Sequence, residues 1–267
     1  MDTGTRKILA VGAHPDDVEF MCSGTLFLLR RLEYEVHVAT LGNGDCGTAE
    51  HSREQISRIR RREAVSACQI LGAVYHCAGL SDLTIFNDDA TNRRTTALLR
   101  GIDPWMVLTH PPTDYLADHE TTSLLVRNAC FYAPVRNYDT SAFGPAPTSS
   151  RIPYLFYAQP LGGTDMFGRR VIPEFYVDIS DCLEQKETML ASHESQRAWL
   201  RAHHGVDEYL ASMRRWDQEL GREASRAAGR PIACAEAFRQ HRGHAYPEDN
   251  ILAHLLPDRV IPEPRYQ

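Results

Sequence analysis

The chain has 267 residues, of which 43% are hydrophobic and 24% charged, with a net charge of −6. That size suits one large α/β domain or one domain with an appendage, and the acidic balance excludes the broad basic field that draws a protein to nucleic acid or anionic membrane. No apolar run approaches the roughly 20 residues of a membrane span. The amino terminus shows no signal-peptide pattern, and seven dispersed cysteines without a C-x-x-C pair read as free or buried thiols of a reducing cytoplasm.

Lys7-Ile8-Leu9-Ala10-Val11 is a short apolar run of the kind that forms a buried parallel strand. A helix is predicted over about 18–32. Between them lie His14, Pro15, Asp16 and Asp17, on the turn at a strand's carboxyl end, where open parallel sheets bind ligands. Asp16 with Glu19 is also a relative of the helix capping box. A cap needs neither His14 nor a second aspartate, so metal binding explains more of the stretch.

Glu35–Leu41 follows as a second strand, then a loop with Gly42, Gly44 and Gly47. The loop lacks G-x-G-x-x-G and follows the wrong strand for a dinucleotide fingerprint, which disfavours a dehydrogenase; its glycines suit the close approach of a substrate. The helix from about Ser52 to Leu71 carries a stripe of Ile56, Arg60, Ala64, Ala67 and Leu71 that should pack inward. Arg60 on that stripe either reaches a substrate or pairs with Glu63. A third strand at Ala73–Cys77, a turn with Asp82, a helix at about 90–100 and a fourth strand at Trp105–Thr109 come next.

The fourth strand leads into His110 and the cluster Asp118-His119, ahead of a helix over about 121–132. Alternating strands and helices argue an α/β, Rossmann-like doubly wound and mostly parallel sheet. Strands one and four are neighbours in the usual order of such sheets, so the two histidine–acid loops should face each other. Residues 134–153 read as a long exposed loop, Tyr154–Ala158 and Phe175–Ile179 as further strands, and about 181–204 and 206–227 as amphipathic helices stopped by Gly205 and Gly229. The expected division is a metal-hydrolase domain at 1–180 and a helical extension with a tail at 181–267, packed on the same domain.

His14, Asp17 and His119 form a His₂-Asp set of the type that holds a catalytic zinc, with Asp16 left as a carboxylate beside it. Such a zinc activates water near neutral pH, and a neighbouring carboxylate can take the proton. No G-x-S-x-G elbow and no P-loop competes with that reading.

Ala13-His14-Pro15-Asp16-Asp17 on the first strand, with the downstream Asp118-His119 pair, resembles the PIG-L/LmbE-like family of zinc-dependent N-deacetylases over about residues 6–135. The resemblance implies removal of an acetyl group from an amino-sugar-like substrate such as a small N-acetylated sugar or glycoside. It implies zinc ligation by His14, Asp17 and His119, Asp16 as general base, and substrate contacts by Arg60 and Asp82. The family's downstream pattern is H-x-D-H or H-P-D-H, and the first position here is Leu116. His110, His241 and His244 are therefore the candidates for the missing acid or oxyanion donor. The last two sit in a tail that reads either as a solvated extension or as a segment folding over the cleft of its own subunit or, in a homo-oligomer, of a neighbour. The competing class is a metal-containing sugar or nucleotide binding module without turnover; Leu116 favours it, and Asp16, which a binder does not need, favours the enzyme.

Overall fold

The computed structural model describes residues 6–144, 147–198 and 208–266. In chain order the early elements are β1 (Lys7–Gly12), α1 (Asp17–Arg31), β2 (Glu35–Gly42), α2 (Arg53–Leu71), β3 (Val74–Leu80), α3 (Asp89–Ile102), β4 (Met106–Thr109) and α4 (Ala117–Tyr132). They continue with β5 (Tyr154–Ala158), β6 (Phe175–Asp178), α5 (Leu183–Ala191), α6 (Glu208–Ala228), β7 (Ala235–Gln240), α7 (Ile251–Leu255) and β8 (Val260–Pro262).

One eight-stranded sheet runs β3-β2-β1-β4-β5-β7-β6-β8. The first five strands in that order are mutually parallel, and β7 lies antiparallel between β5 and β6. Helices cover both faces, and the alternation along β1 shows how. Ile8 and Ala10 join a buried cluster with Leu26 and Leu29 of α1, while Leu9 and Val11 point the other way, to Leu125 and Val126 of α4. Truncating a fully buried leucine such as Leu29 to alanine would cost about 2–5 kcal/mol.

β1 and β4 are adjacent, with Val11 opposite Thr109, so the turns that follow them meet at the carboxyl edge of the sheet. α2 is stopped at both ends by local chemistry: Ser52 and Gln55 form a reciprocal capping box, and Gly72 supplies the left-handed residue (φ 71°) after the last turn. Its buried face includes Ile56, Arg60, Ala64, Ala67 and Leu71, the stripe read from sequence. All seven cysteines are free thiols, and Cys22, Cys68 and Cys130 are buried in helices as core residues.

The tail after Arg230 is not a solvated extension. Its residues Ala235–Gln240 insert as β7, and Val260–Pro262 closes the far edge as β8. The helix expected over 181–204 is broken: α5 ends at Ala191, and a helical stretch resumes at Glu194 after His193 turns inward to Glu19. The end of that helix and its glycine stop at 205 lie outside the described residues. No helix among the described residues is long and apolar enough to cross a membrane.

Candidate metal and catalytic site

The turn after β1 needs a small residue, because a Cβ on Gly12 would sit 2.8 Å from Asp17 Cβ. Asp17 Oδ2 accepts a hydrogen bond from the His14 amide at 2.7 Å and so folds the turn onto the start of α1. Asp16, at the helix N-cap, has φ 116° and makes no capping bond. A non-glycine backbone in that region costs about 1–3 kcal/mol, and the surroundings must hold it there. The capping-box expectation therefore fails. Both Asp16 oxygens are taken by other side chains, Oδ2 by the Tyr209 hydroxyl at 2.5 Å and Oδ1 by Arg60 Nη2 at 3.2 Å. Glu19 turns instead to His193.

His14, Asp17 and His119 each offer a ligand atom, all within 4.8 Å of one another. Each histidine gives its other nitrogen to a carboxylate: His14 Nε2 lies 2.8 Å from Asp118 Oδ2, and His119 Nδ1 lies 3.0 Å from Asp114 Oδ1. This is how metal-ligating imidazoles are held in orientation, and two nitrogens with one carboxylate oxygen suit zinc. The residues present thus fit a divalent metal. His119 and Asp118 reach the site because α4 starts at Ala117, four residues earlier than expected from sequence, and carries both on its first turn. Glu120 fixes that start by accepting the Asp114 amide.

Burial pushes the Asp17 carboxyl up, but His119, His110 and His14 beside it outweigh burial and hold it well below the ordinary carboxylate range. Asp16 goes the other way: burial and the neighbouring Asp17 raise it against the opposing pull of Arg60. Two adjacent carboxyls are thereby tuned apart, one fixed as an anion among imidazoles and one more basic.

Arg60 is 4% exposed and spans the gap between α2 and the turn, also donating to the Pro15 carbonyl. The pairing with Glu63 does not form; Glu63 instead accepts from the Ser195 amide and hydroxyl. Gly44 and Gly47 make room for Arg60, since a Cβ at either would lie 2.7 or 2.6 Å from its side chain. At those two positions the close approach is that of an arginine. Asp82 lines the cavity but spends its oxygens on the Gly44 and Cys46 amides, pinning the glycine loop.

Of the three candidate donors, the structure brings only His110 to the site. Pro111 and Pro112 do not prevent it: its Nε2 lies 2.9 Å from Asp17 Oδ2, and its ring stacks on His119 at 4.0 Å. The same nitrogen lies 3.1 Å from the Ala13 amide. One nitrogen cannot donate to the first and accept from the second, and the charge on Asp17 favours donation to the carboxylate. His241 and His244 do not line the cavity. β7 runs antiparallel to β5 and carries the chain away from the strand ends that hold the site, leaving His241 on the Tyr157 hydroxyl and His244 exposed.

The cavity in front of these groups measures about 600 Å³. Besides the residues above it is lined by Phe20, Leu83, Tyr115, Leu116, Gln159 and Trp216, and one face of α6 contributes Glu208, Tyr209 and Ser212. Sequence reasoning missed Tyr209 and Asp114 as parts of the site, and it brought Asp118 there with His119 without giving it a role. Tyr209 falls on the stripe Tyr209, Met213, Trp216 and Leu220, which reads as core; the acids showed only as members of an acidic cluster.

Residues 9–130 match the family model described as PIG-L: GlcNAc-PI de-N-acetylase. Over 146 residues the chain is 29% identical to the 4-oxalmesaconate hydratase of Pseudomonas putida, a match covering 52% of this chain and 57% of that relative. The chain therefore spans little more than half the length of that relative. It is 26% identical over 204 residues to the diacetylchitobiose deacetylase of Thermococcus kodakarensis, covering 72% of this chain and 70% of the relative. Among solved structures, a 4-carboxy-2-hydroxymuconate hydratase from Pseudomonas putida has a TM-score of 0.74 at 22% identity, covering 92% of this chain and 100% of that one. The N,N′-diacetylchitobiose deacetylase of Pyrococcus horikoshii has a TM-score of 0.68 at 21% identity, covering 92% and 88%. At those identities the structures show a shared fold.

Proposed function

We propose, from the premise that the chain belongs to the PIG-L family through residues 9–130, that it hydrolyses the N-acetyl group of an amino-sugar-like substrate in a zinc-dependent reaction. The observation that carries this reading is the pairing of a His₂-Asp ligand set, each histidine braced by its own carboxylate, with a second carboxylate, Asp16, kept apart from the set.

His14, Asp17 and His119 would hold the zinc, which supplies an activated water and polarises the acyl oxygen when bound. Asp16 takes a proton from the attacking water, its basicity raised by burial. With Leu116 at the position where the family pattern has histidine, Asp16, which lines the cavity, also returns that proton to the departing amine. His110 donates to Asp17 and keeps it turned toward the histidines. Support for an N-acetylated sugar comes from the family model and from the diacetylchitobiose deacetylase relative.

A second reading, addition of water across a carbon–carbon double bond, is favoured by the likeness to a hydratase at 29% identity and by the same Leu116. Both readings use Asp16 to deprotonate water, and they part at the product. Asp16 and Asp17 are separable by experiment: Asp16→Asn should retain zinc and lower turnover by about 10²-fold or more, whereas Asp17→Asn should empty the site. An Asp16→Asn variant as active as the parent rules out the proposed mechanism.

A further inference from the structure

The geometry points to Tyr209 as a positioning residue: its hydroxyl, delivered from the second residue of α6, holds Asp16 in the orientation the reaction uses. This inference rests on Asp16 acting as the base. Tyr209 is 193 residues away in sequence, and its hydroxyl lies 2.5 Å from Asp16 Oδ2, the short spacing of a hydroxyl donating to a carboxylate. The ring is 7% exposed, sits edge-on to Phe20 at 5.1 Å and packs with Leu190 and Met213, so the hydroxyl has little freedom to leave its place.

Asp16 needs such a hold. Its backbone occupies the left-handed region at φ 116°, no cap bond secures its side chain, and the preceding proline offers no amide hydrogen bond. Arg60 fixes the other carboxylate oxygen and the Pro15 carbonyl from α2. The carboxylate is thus clamped from two sides by residues remote in sequence. An oxygen that accepts one hydrogen bond from Tyr209 keeps a second lone pair, and Asp16 itself lines the cavity. Without the hydroxyl, the carboxylate is held from the Arg60 side alone and can turn away from its working orientation, and a misplaced base loses rate without losing substrate affinity. The carboxyl-terminal third of the chain, outside the segment matched by the family model, therefore completes the site.

Tyr209→Phe removes only the hydroxyl and keeps the packed ring. Loaded with zinc, this variant should show kcat lower by about tenfold to a hundredfold, with KM and metal content unchanged. The thermal midpoint reports on the same contact without any substrate: Tyr209→Phe should lower it in the parent and leave it unchanged in an Asp16→Ala background. Parent-like kcat in Tyr209→Phe, a loss confined to KM, or an equal drop in midpoint in both backgrounds overturns the inference. If Asp16→Ala itself turns over like the parent, it is the assignment of the base that fails. If Asp16→Ala is inactive while Tyr209→Phe is normal, only the role of Tyr209 fails.

Discussion

Asp118 Oδ2 lies 2.8 Å from His14 Nε2, although the two residues are 104 apart in the chain, and the same oxygen accepts the Leu83 amide at 2.7 Å. Asp114 does the equivalent for His119 at 3.0 Å. The acid in the downstream Asp-His pair is therefore a brace for the first histidine, while its neighbour His119 faces Asp17. Asp118→Asn and Asp114→Asn should each weaken zinc binding by about 10–100-fold and restore most activity at excess metal. Metal-buffer titration checks this; parent affinity in both variants would show that the carboxylates do not orient the ligands.

His110 separates two roles. As an orienter of Asp17, it should affect metal retention: His110→Ala loses zinc affinity by about 10–100-fold and keeps turnover within about tenfold of the parent at saturating zinc. As the acid that replaces the histidine missing at Leu116, its loss would instead lower turnover by about 10²–10⁴-fold with the metal in place. The 2.9 Å contact with Asp17 predicts the first outcome.

The first β–α turn shows how far the residues alone carry. Ala13-His14-Pro15-Asp16-Asp17 after an apolar strand is a local pattern, and the rule that strands one and four lie side by side brought His119 to it. What stayed hidden depends on contacts that no local period encodes. Tyr209 lies on an ordinary amphipathic stripe, and its hydroxyl meets Asp16 only after α6 packs beside α5. Ala235–Gln240 carries Glu236, Arg239 and Gln240 among few β-favouring residues, so it did not read as a strand; Glu236 is tolerated at 1% exposure only because Lys186 and the amides of Gly24 and Thr25 meet it. Arg60 was correctly placed on the inward stripe, but its partner proved to be Asp16, because Glu63 is engaged by Ser195.

Lys186 shows what such hidden contacts are worth. Its ammonium is fully buried, 2.7 Å from Glu236 and 3.0 Å from Asp217, and it also donates to the Phe20 carbonyl of α1. Burial would lower its pKa, but the two carboxylates outweigh that and keep it protonated. Lys186→Met leaves two buried carboxylates without their cation and should cost about 3–5 kcal/mol in denaturant unfolding. A change below 1 kcal/mol would mean the triad contributes no more than a surface pair.

The account stands most directly on acetate release. Metal-stripped protein, reconstituted stepwise with zinc and offered a panel of N-acetylated amino sugars and their glycosides, should release acetate from at least one of them. The rate should rise with zinc up to one equivalent and be absent from a His14→Ala, His119→Ala double variant. Folded, zinc-loaded protein that releases no acetate from any of them, or a double variant that releases it at the parent rate, would contradict the account.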